Sequence, residues 1–216
     1  MRVWETLLSD TISNMKILYI LVLITSFACS TGKEPFGHPS GLVIDEISSS
    51  KWTYLVRQNL LQLSQVYDLT PFLFTKKIQI ESKVIPHSHP VLTLNTRFAE
   101  RPSQLLALFL NQQFQWWLKL HPEQTSAAIL DLKKSLPNAP ETQSLGKDST
   151  FLKILAGQLE AMALEYYLGH QETQKILTDK IMQEKQDPWI YKVIQARGDE
   201  LKTLLRGHRL LPTPLH

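Results

Sequence analysis

Twelve uncharged residues near the N terminus, residues 17–28, divide this chain of 216 residues into two unequal parts. They read ILYILVLITSFA and lie between Lys16 and Cys29. A membrane-spanning helix needs about 18 or more apolar residues, so this run is too short to span and instead has the length of a signal-peptide core. Because no second run of spanning length follows, the rest of the chain is expected to fold as one domain outside the membrane.

The composition excludes several classes of protein. Hydrophobic residues make up 43% of the chain and charged residues 20%, which is typical of a globular domain. The net charge of +3 comes without a dense Lys/Arg stripe, so no nucleic-acid partner is expected. A single cysteine excludes an internal disulfide framework, a Cys-rich zinc site and an iron–sulfur cluster.

The residues around that cysteine resemble the lipobox of bacterial lipoproteins. The segment TSFAC ends at Cys29, and the small residues Ser26 and Ala28 give a peptidase access to the backbone, although leucine is more usual where Ser26 stands. The resemblance implies cleavage before Cys29, lipidation of Cys29 and a lipid anchor in the bacterial cell envelope. In a Gram-negative cell this is the periplasmic side of the outer membrane. A plain secretory signal cut at the same place is the alternative.

Four segments are predicted from these features. Residues 1–28 form the signal peptide, and Met15 is a better start than the first methionine because acidic residues do not suit a positively charged leader. Residues 29–50 are rich in Gly, Pro and Ser and form a flexible, lipid-anchored tether. Residues 51–211 form the folded domain, and residues 212–216 form a tail.

Hydrophobic periodicity predicts an α+β domain that is mostly helical, with a small sheet before the main helices. One helix is predicted over residues 51–67, and strands are predicted over residues 77–84 and 91–95. Prolines and glycines then bound a series of helices. These cover residues 102–120, 122–136, 150–168 and 171–185, and a last helix runs from Pro188 to Gly207.

Polar residues of the 102–120 helix share one arc of its surface. In the simplest interpretation they form the solvent-facing side of an amphipathic helix, although Leu108 lies inside the arc. The arc consists of Gln104, Asn111, Gln115 and Lys119.

The same region resembles a little-characterised bacterial family related to zincin metallopeptidases. The segment HPVLTLNTRFAERPSQLLALFLNQQFQWWLKLHP is similar to the edge strand and active-site helix of such proteins, whose helix carries H-E-x-x-H. Two histidines four residues apart bind Zn²⁺ there, and the glutamate activates the bound water. Here Asn111, Gln112 and Gln115 stand in those places. In DSTFLKILAGQLEAMAL, which resembles the helix that supplies a further ligand, Glu160 is the matching residue.

The resemblance, over about residues 85–211, implies a zincin-like fold without zinc chemistry. Amide oxygens are poor ligands for Zn²⁺ compared with imidazole, and one carboxylate, Glu160, cannot make a site of three protein ligands. Gln112 has no titratable group with which to take a proton from water. We therefore expect no zinc and favour a protein without catalysis, a membrane-anchored pseudopeptidase that binds a peptide or protein partner.

The strand before the active-site helix is the expected binding edge. In zincins a substrate peptide adds beside this strand through main-chain hydrogen bonds. Two alternatives stay open. One is an active metal-dependent hydrolase with a rearranged metal site that uses His87, His89 or Glu160, and the other is a structural lipoprotein unrelated to peptidases. The edge-strand residues are Val91, Leu92, Thr93, Leu94 and Asn95.

Overall fold

The computed structural model describes residues 41–139, 147–183 and 188–215. Within these ranges the chain forms three short strands and six α-helices, so the predicted α+β class with a predominance of helix is confirmed. The predicted signal peptide, Cys29 and the first part of the predicted tether lie outside the described residues. No helix in the described ranges combines the length and the apolar character needed to cross a membrane.

The strands form one parallel sheet. β1 (Val43–Glu46), β2 (Lys77–Ile80) and β3 (Leu92–Leu94) lie in the order β1-β2-β3. The alternation of the β2 sequence, KIQI, buries Ile78 and Ile80 in the core, as the sequence pattern predicted. β2 is shorter than the predicted strand over residues 77–84, and β3 is shorter than the one over 91–95.

Both ends of the predicted domain differ from expectation. β1 lies within residues 29–50, which were assigned to the tether, and its backbone pairs with β2 from Val43 to Glu46. A strand of four residues carries too weak a periodic signal to be separated from the Gly/Ser-rich stretch before it. Within the predicted tail, Thr213–Leu215 forms a 3₁₀ turn that buries Leu215.

Local signals position the helices. Ser50 caps the first helix in a capping box with Thr53. Three later helices begin at a proline in the first helical position, and Gly169, with a φ of +78°, ends the fourth helix as predicted. The six helices are α1 (Lys51–Val66), α2 (Pro102–Leu120), α3 (Pro122–Ser135), α4 (Lys147–Leu168), α5 (His170–Gln183) and α6 (Pro188–Gly207).

Helices α2 and α4 form the centre of the domain. α4 carries apolar residues around most of its circumference, which is typical of a buried helix, and it packs against α2, α5 and α6. Gly157 lets α6 approach α4 closely, because a Cβ on this glycine would lie 2.6 Å from Ile194 Cδ1. The sheet packs against α2 through β3 and against α1 through β1.

Gln113 ties the loop before β2 to α2. Its Oε1 accepts hydrogen bonds from the backbone N–H groups of Phe74 (2.9 Å) and Thr75 (3.0 Å), and its Nε2 donates to the Thr75 carbonyl (2.8 Å). The side chain is fully buried. Gln113 therefore provides hydrogen-bond partners for three backbone groups of a loop that lies outside the helices and the sheet.

We expect Gln113→Leu to destabilise the domain, because three partly buried backbone groups lose their partners. At about 1–3 kcal/mol for each unsatisfied group, the free energy of unfolding falls by roughly 3 kcal/mol or more. Denaturant unfolding measures the change, and Gln124→Leu, at an exposed position of α3, is the matched control. Equal effects of the two substitutions would contradict the proposed role of Gln113.

Candidate functional site

Three of the residues selected from the sequence meet between α2 and α4. Asn111 Nδ2 donates a hydrogen bond of 2.8 Å to Glu160 Oε2, and Gln115 Nε2 donates one of 2.8 Å to Asn111 Oδ1. Asn111 and Gln115 lie one turn apart on α2, which is why their side chains can contact each other. Glu160 faces them from α4 and is completely buried.

Lys180, a residue not selected from the sequence, completes this group. Its Nζ on α5 lies 2.5 Å from Glu160 Oε1, and the same ammonium donates to the Tyr191 hydroxyl of α6 at 3.3 Å. The Lys180 side chain is only 12% exposed. Side chains from four helices thus join in one hydrogen-bonded unit, which we call the polar cluster and which consists of Asn111, Gln115, Glu160, Lys180 and Tyr191.

The polar cluster holds an ion pair in the interior. Burial by itself lowers the pKa of Lys180, but the Glu160 carboxylate, followed by Tyr191, outweighs burial and raises that pKa above its ordinary value. Lys180 is therefore charged at neutral pH. Because its folded-state pKa is raised, its contribution to stability is fully present below the unfolded pKa and is lost only as pH rises through the folded one.

The polar cluster does not fit a catalytic zinc ion. Two of its members are neutral amides, and the only carboxylate, Glu160, already bonds an ammonium with one oxygen and the Asn111 amide with the other. Zinc sites in enzymes take three protein ligands from His, Cys, Asp and Glu. In the part of the chain that the structure describes, no three such side chains are grouped to hold a metal ion.

Gln112, which stands where the family has the glutamate of the motif, lies apart from the polar cluster. It follows Asn111 by one position and so projects about 100° away around α2. The side chain is buried, and its Oε1 accepts no hydrogen bond from the described residues. The structure therefore brings together Asn111, Gln115 and Glu160 but not Gln112.

The polar arc of α2 contacts other helices as well as water, since Gln104, Asn111 and Gln115 are each half-buried. Gln104 Nε2 donates to Asp179 Oδ2 of α5 at 3.0 Å, and Asn111 and Gln115 belong to the polar cluster. Only Lys119, at the end of the arc, is exposed. The amphipathic interpretation is therefore incomplete, because helical periodicity does not show which polar residues also bond to a neighbouring helix.

The outer edge of β3 is already bonded within the chain. Thr93 N donates to the His87 carbonyl at 2.8 Å, and His87 N donates to the Thr93 carbonyl at 3.1 Å. Leu92 and Leu94 belong to the pairing with β2, and all three residues of β3 are buried. A peptide could pair with this strand only after the segment around His87 had moved away.

His87 and His89 are engaged separately. His87 Nδ1 lies 3.0 Å from the Ile85 carbonyl oxygen, whereas the His89 ring stacks on Trp116 at 4.0 Å between ring centroids. His89 Nδ1 also lies within 3.0 Å of Ser88 Oγ. The two imidazoles therefore have different neighbours.

The chain matches no protein-family model, no curated protein and no solved structure. The likeness to zincins therefore rests on the sequence segments quoted above. The parallel arrangement of the three strands does not by itself support it.

We expect Lys180→Met to destabilise the protein strongly, because it leaves the Glu160 carboxylate buried without a counter-ion. Removing one partner of a buried ion pair costs about 3–5 kcal/mol. Denaturant unfolding measures the loss, and a double variant with Glu160→Gln should recover most of it because neither charge is then buried.

Lys175→Met is the control for this experiment. Lys175 lies on the same helix, is exposed and pairs with Glu172 at 3.7 Å on the surface, so its replacement should cost less than about 1 kcal/mol. If Lys180→Met cost no more than this control, the ion pair would not be a major source of stability.

Acid should destabilise the domain through His89. Burial, followed by the positive charge of Lys119, lowers the pKa of His89 in the folded state. In the unfolded chain the imidazole takes up a proton at about pH 6.5, whereas in the folded state protonation requires a lower pH. The free energy of unfolding therefore falls as pH drops through that value. We expect His89→Gln to lose less stability than the wild type between about pH 7.5 and about pH 5.5 in denaturant titrations. The exposed His87→Gln is the control, and an equal loss in His89→Gln and wild type would refute the prediction.

Proposed function

We propose that this chain is a membrane-anchored, non-catalytic binding protein on a zincin-like scaffold, in which the Lys180 ammonium takes the place of the metal ion. The observation that carries the proposal is the contact of 2.5 Å between Lys180 Nζ and Glu160 Oε1. Glu160 matches the family's further metal ligand. It accepts a hydrogen bond from Asn111, which in turn is bonded to Gln115, and these are two of the three residues at the positions of the metal-binding motif.

The chemistry of the polar cluster supports a role without catalysis. Its amides cannot act as bases, and its single carboxylate is neutralised by a charged lysine that is hydrogen-bonded to it. Gln112, where the family has the glutamate that activates water, carries no titratable group. What such a cluster can do is hold α2, α4, α5 and α6 together without a metal.

The proposed anchor is Cys29, and the proposed setting is the bacterial cell envelope. A peptide or a protein is the proposed partner, because the sequence has neither a dense Lys/Arg stripe for nucleic acid nor a motif for phosphates. Tethering to a membrane raises the local concentration of such a partner if it is also an envelope component.

A structural lipoprotein unrelated to peptidases is the second candidate. The observation that favours it is the pairing of Thr93 with His87, which occupies the edge where a zincin substrate would add. The two candidates differ in whether α2 and α4 retain the geometry of a lost metal site.

Restoring the metal ligands tests the difference. We expect the variant Asn111→His, Gln112→Glu, Gln115→His, Lys180→Met to bind one zinc ion per chain. The two introduced imidazoles would join Glu160 once the competing ammonium is gone. The same triple reversion with Lys180 retained should bind far less zinc, since ammonium and zinc compete for one carboxylate. Metal analysis after dialysis measures the stoichiometry.

The triple reversion combined with Lys175→Met is the matched control, and circular dichroism establishes that each variant is folded. A folded quadruple variant without zinc would favour the structural lipoprotein. Stoichiometric zinc in the wild-type chain, purified without added metal, would instead favour an active hydrolase.

A further inference from the structure

A cleft of about 530 Å³ opens between α4, α5 and α6. It lies beside a break in α6, where Arg197 has φ −128° and ψ 25°, outside the helical range. The residues that line it include no member of the polar cluster. Its volume falls within the roughly 300–1,000 Å³ that is usual for small-molecule sites.

Gln158 of α4 forms part of the cleft wall. The residue is only 5% exposed, and its Oε1 is buried without a hydrogen-bond partner among the described residues. An unpartnered buried amide oxygen costs about 1–3 kcal/mol, and most such groups in folded proteins are satisfied. Stability alone therefore gives no reason for a glutamine at this position.

Gly198 of α6 stands opposite this amide. A Cβ on Gly198 would lie 3.8 Å from Gln158 Oε1 and 3.9 Å from its Nε2, so any longer side chain would cover the amide. Gly198 directly follows the break at Arg197 and places no side chain against the Gln158 amide, which lies in the cleft wall with its oxygen buried and unpartnered among the described residues.

The remaining walls combine apolar surface with a rim of mixed charge. Met162, Leu177 and Ile194 provide the apolar part. At the rim, His170 Nδ1 lies 3.0 Å from Glu165 Oε1, and Arg197 pairs with Glu200. Because both signs are present and paired, the rim does not select a strongly charged ligand.

We propose that this cleft binds a peptide segment through hydrogen bonds between the Gln158 amide and a peptide group. A carboxamide carries a donor and an acceptor, which are complementary to the C=O and N–H of a peptide unit. Rotation about its last side-chain bond, which is a soft torsion, turns either atom toward the ligand. The inference rests on the proposed function in taking a peptide as the partner, and it locates binding away from β3.

The test uses the full chain in detergent and the blocked tripeptide N-acetyl-Ala-Leu-Ala-amide as the probe. Nitrogen-15 NMR should show saturable shifts of the Gln158 side-chain amide and the Gly198 backbone signal at peptide concentrations up to about 10 mM. Absence of a saturable shift over that range overturns the proposal.

Two variants separate binding from folding. Gly198→Leu should weaken binding by at least about tenfold because its side chain fills the space over the amide, which corresponds to about 1.4 kcal/mol. Gly207→Leu is the matched control on the same helix, because a Cβ there meets nothing within 4 Å, and it should bind as the wild type does. Equal binding by both variants overturns the proposal.

Gln158→Met gives an independent readout. It should lose about tenfold in affinity while the midpoint of thermal unfolding stays level or rises, since it removes an unpartnered polar group. A lower midpoint with unchanged binding would show that Gln158 is structural and would overturn the proposal. The two proposals can fail separately. If the quadruple variant binds zinc but the tripeptide causes no shift, only the peptide-binding cleft is refuted. If the tripeptide binds but the quadruple variant takes up no zinc, only the zincin-like scaffold is refuted.

Discussion

One buried charge pair links the helices of this domain. Glu160 has no exposure to water, and a carboxylate in that position requires a cation nearby. Lys180 supplies it from α5, while Asn111 bonds the second carboxylate oxygen from α2. Because each of these groups is satisfied only when all the helices are in place, the polar cluster specifies one relative arrangement of α2, α4, α5 and α6 in addition to the nonspecific attraction of their apolar faces.

A structural feature could be predicted from the sequence where it depends on residues that are close together in the chain. Prolines at the first helical position and Gly169 act on neighbouring backbone, so the helix starts and the end of α4 could be read directly. The contact of Asn111 with Gln115 follows from a spacing of four. Lys180 reaches Glu160 across 20 residues and two helices, and no periodicity encodes that contact. The strand β1 was missed because four residues pair only through a distant partner, β2.

The likeness to zincins and the arrangement of the strands point in different directions. The polar cluster joins residues that the resemblance matches to metal ligands, and the proposed exchange of a metal for a lysine rests on this contact. In the parallel sheet, the outer edge of β3, where a zincin substrate would be aligned, is bonded to His87 at Thr93. A protein that retained the interior of such a site but not its strand edge would need another surface for a partner. The cleft beside Gln158 is the surface that we propose for this role.

The position of β1 in the sheet limits the distance between the folded domain and Cys29. With Val43 held by β2, no more than 14 peptide units separate Cys29 from the folded domain. Covalent geometry limits that length of chain to about 50 Å when fully extended. Under the proposed lipid anchor, the domain would therefore remain within about its own diameter of the bilayer, and its encounters would be confined to a thin layer next to the membrane.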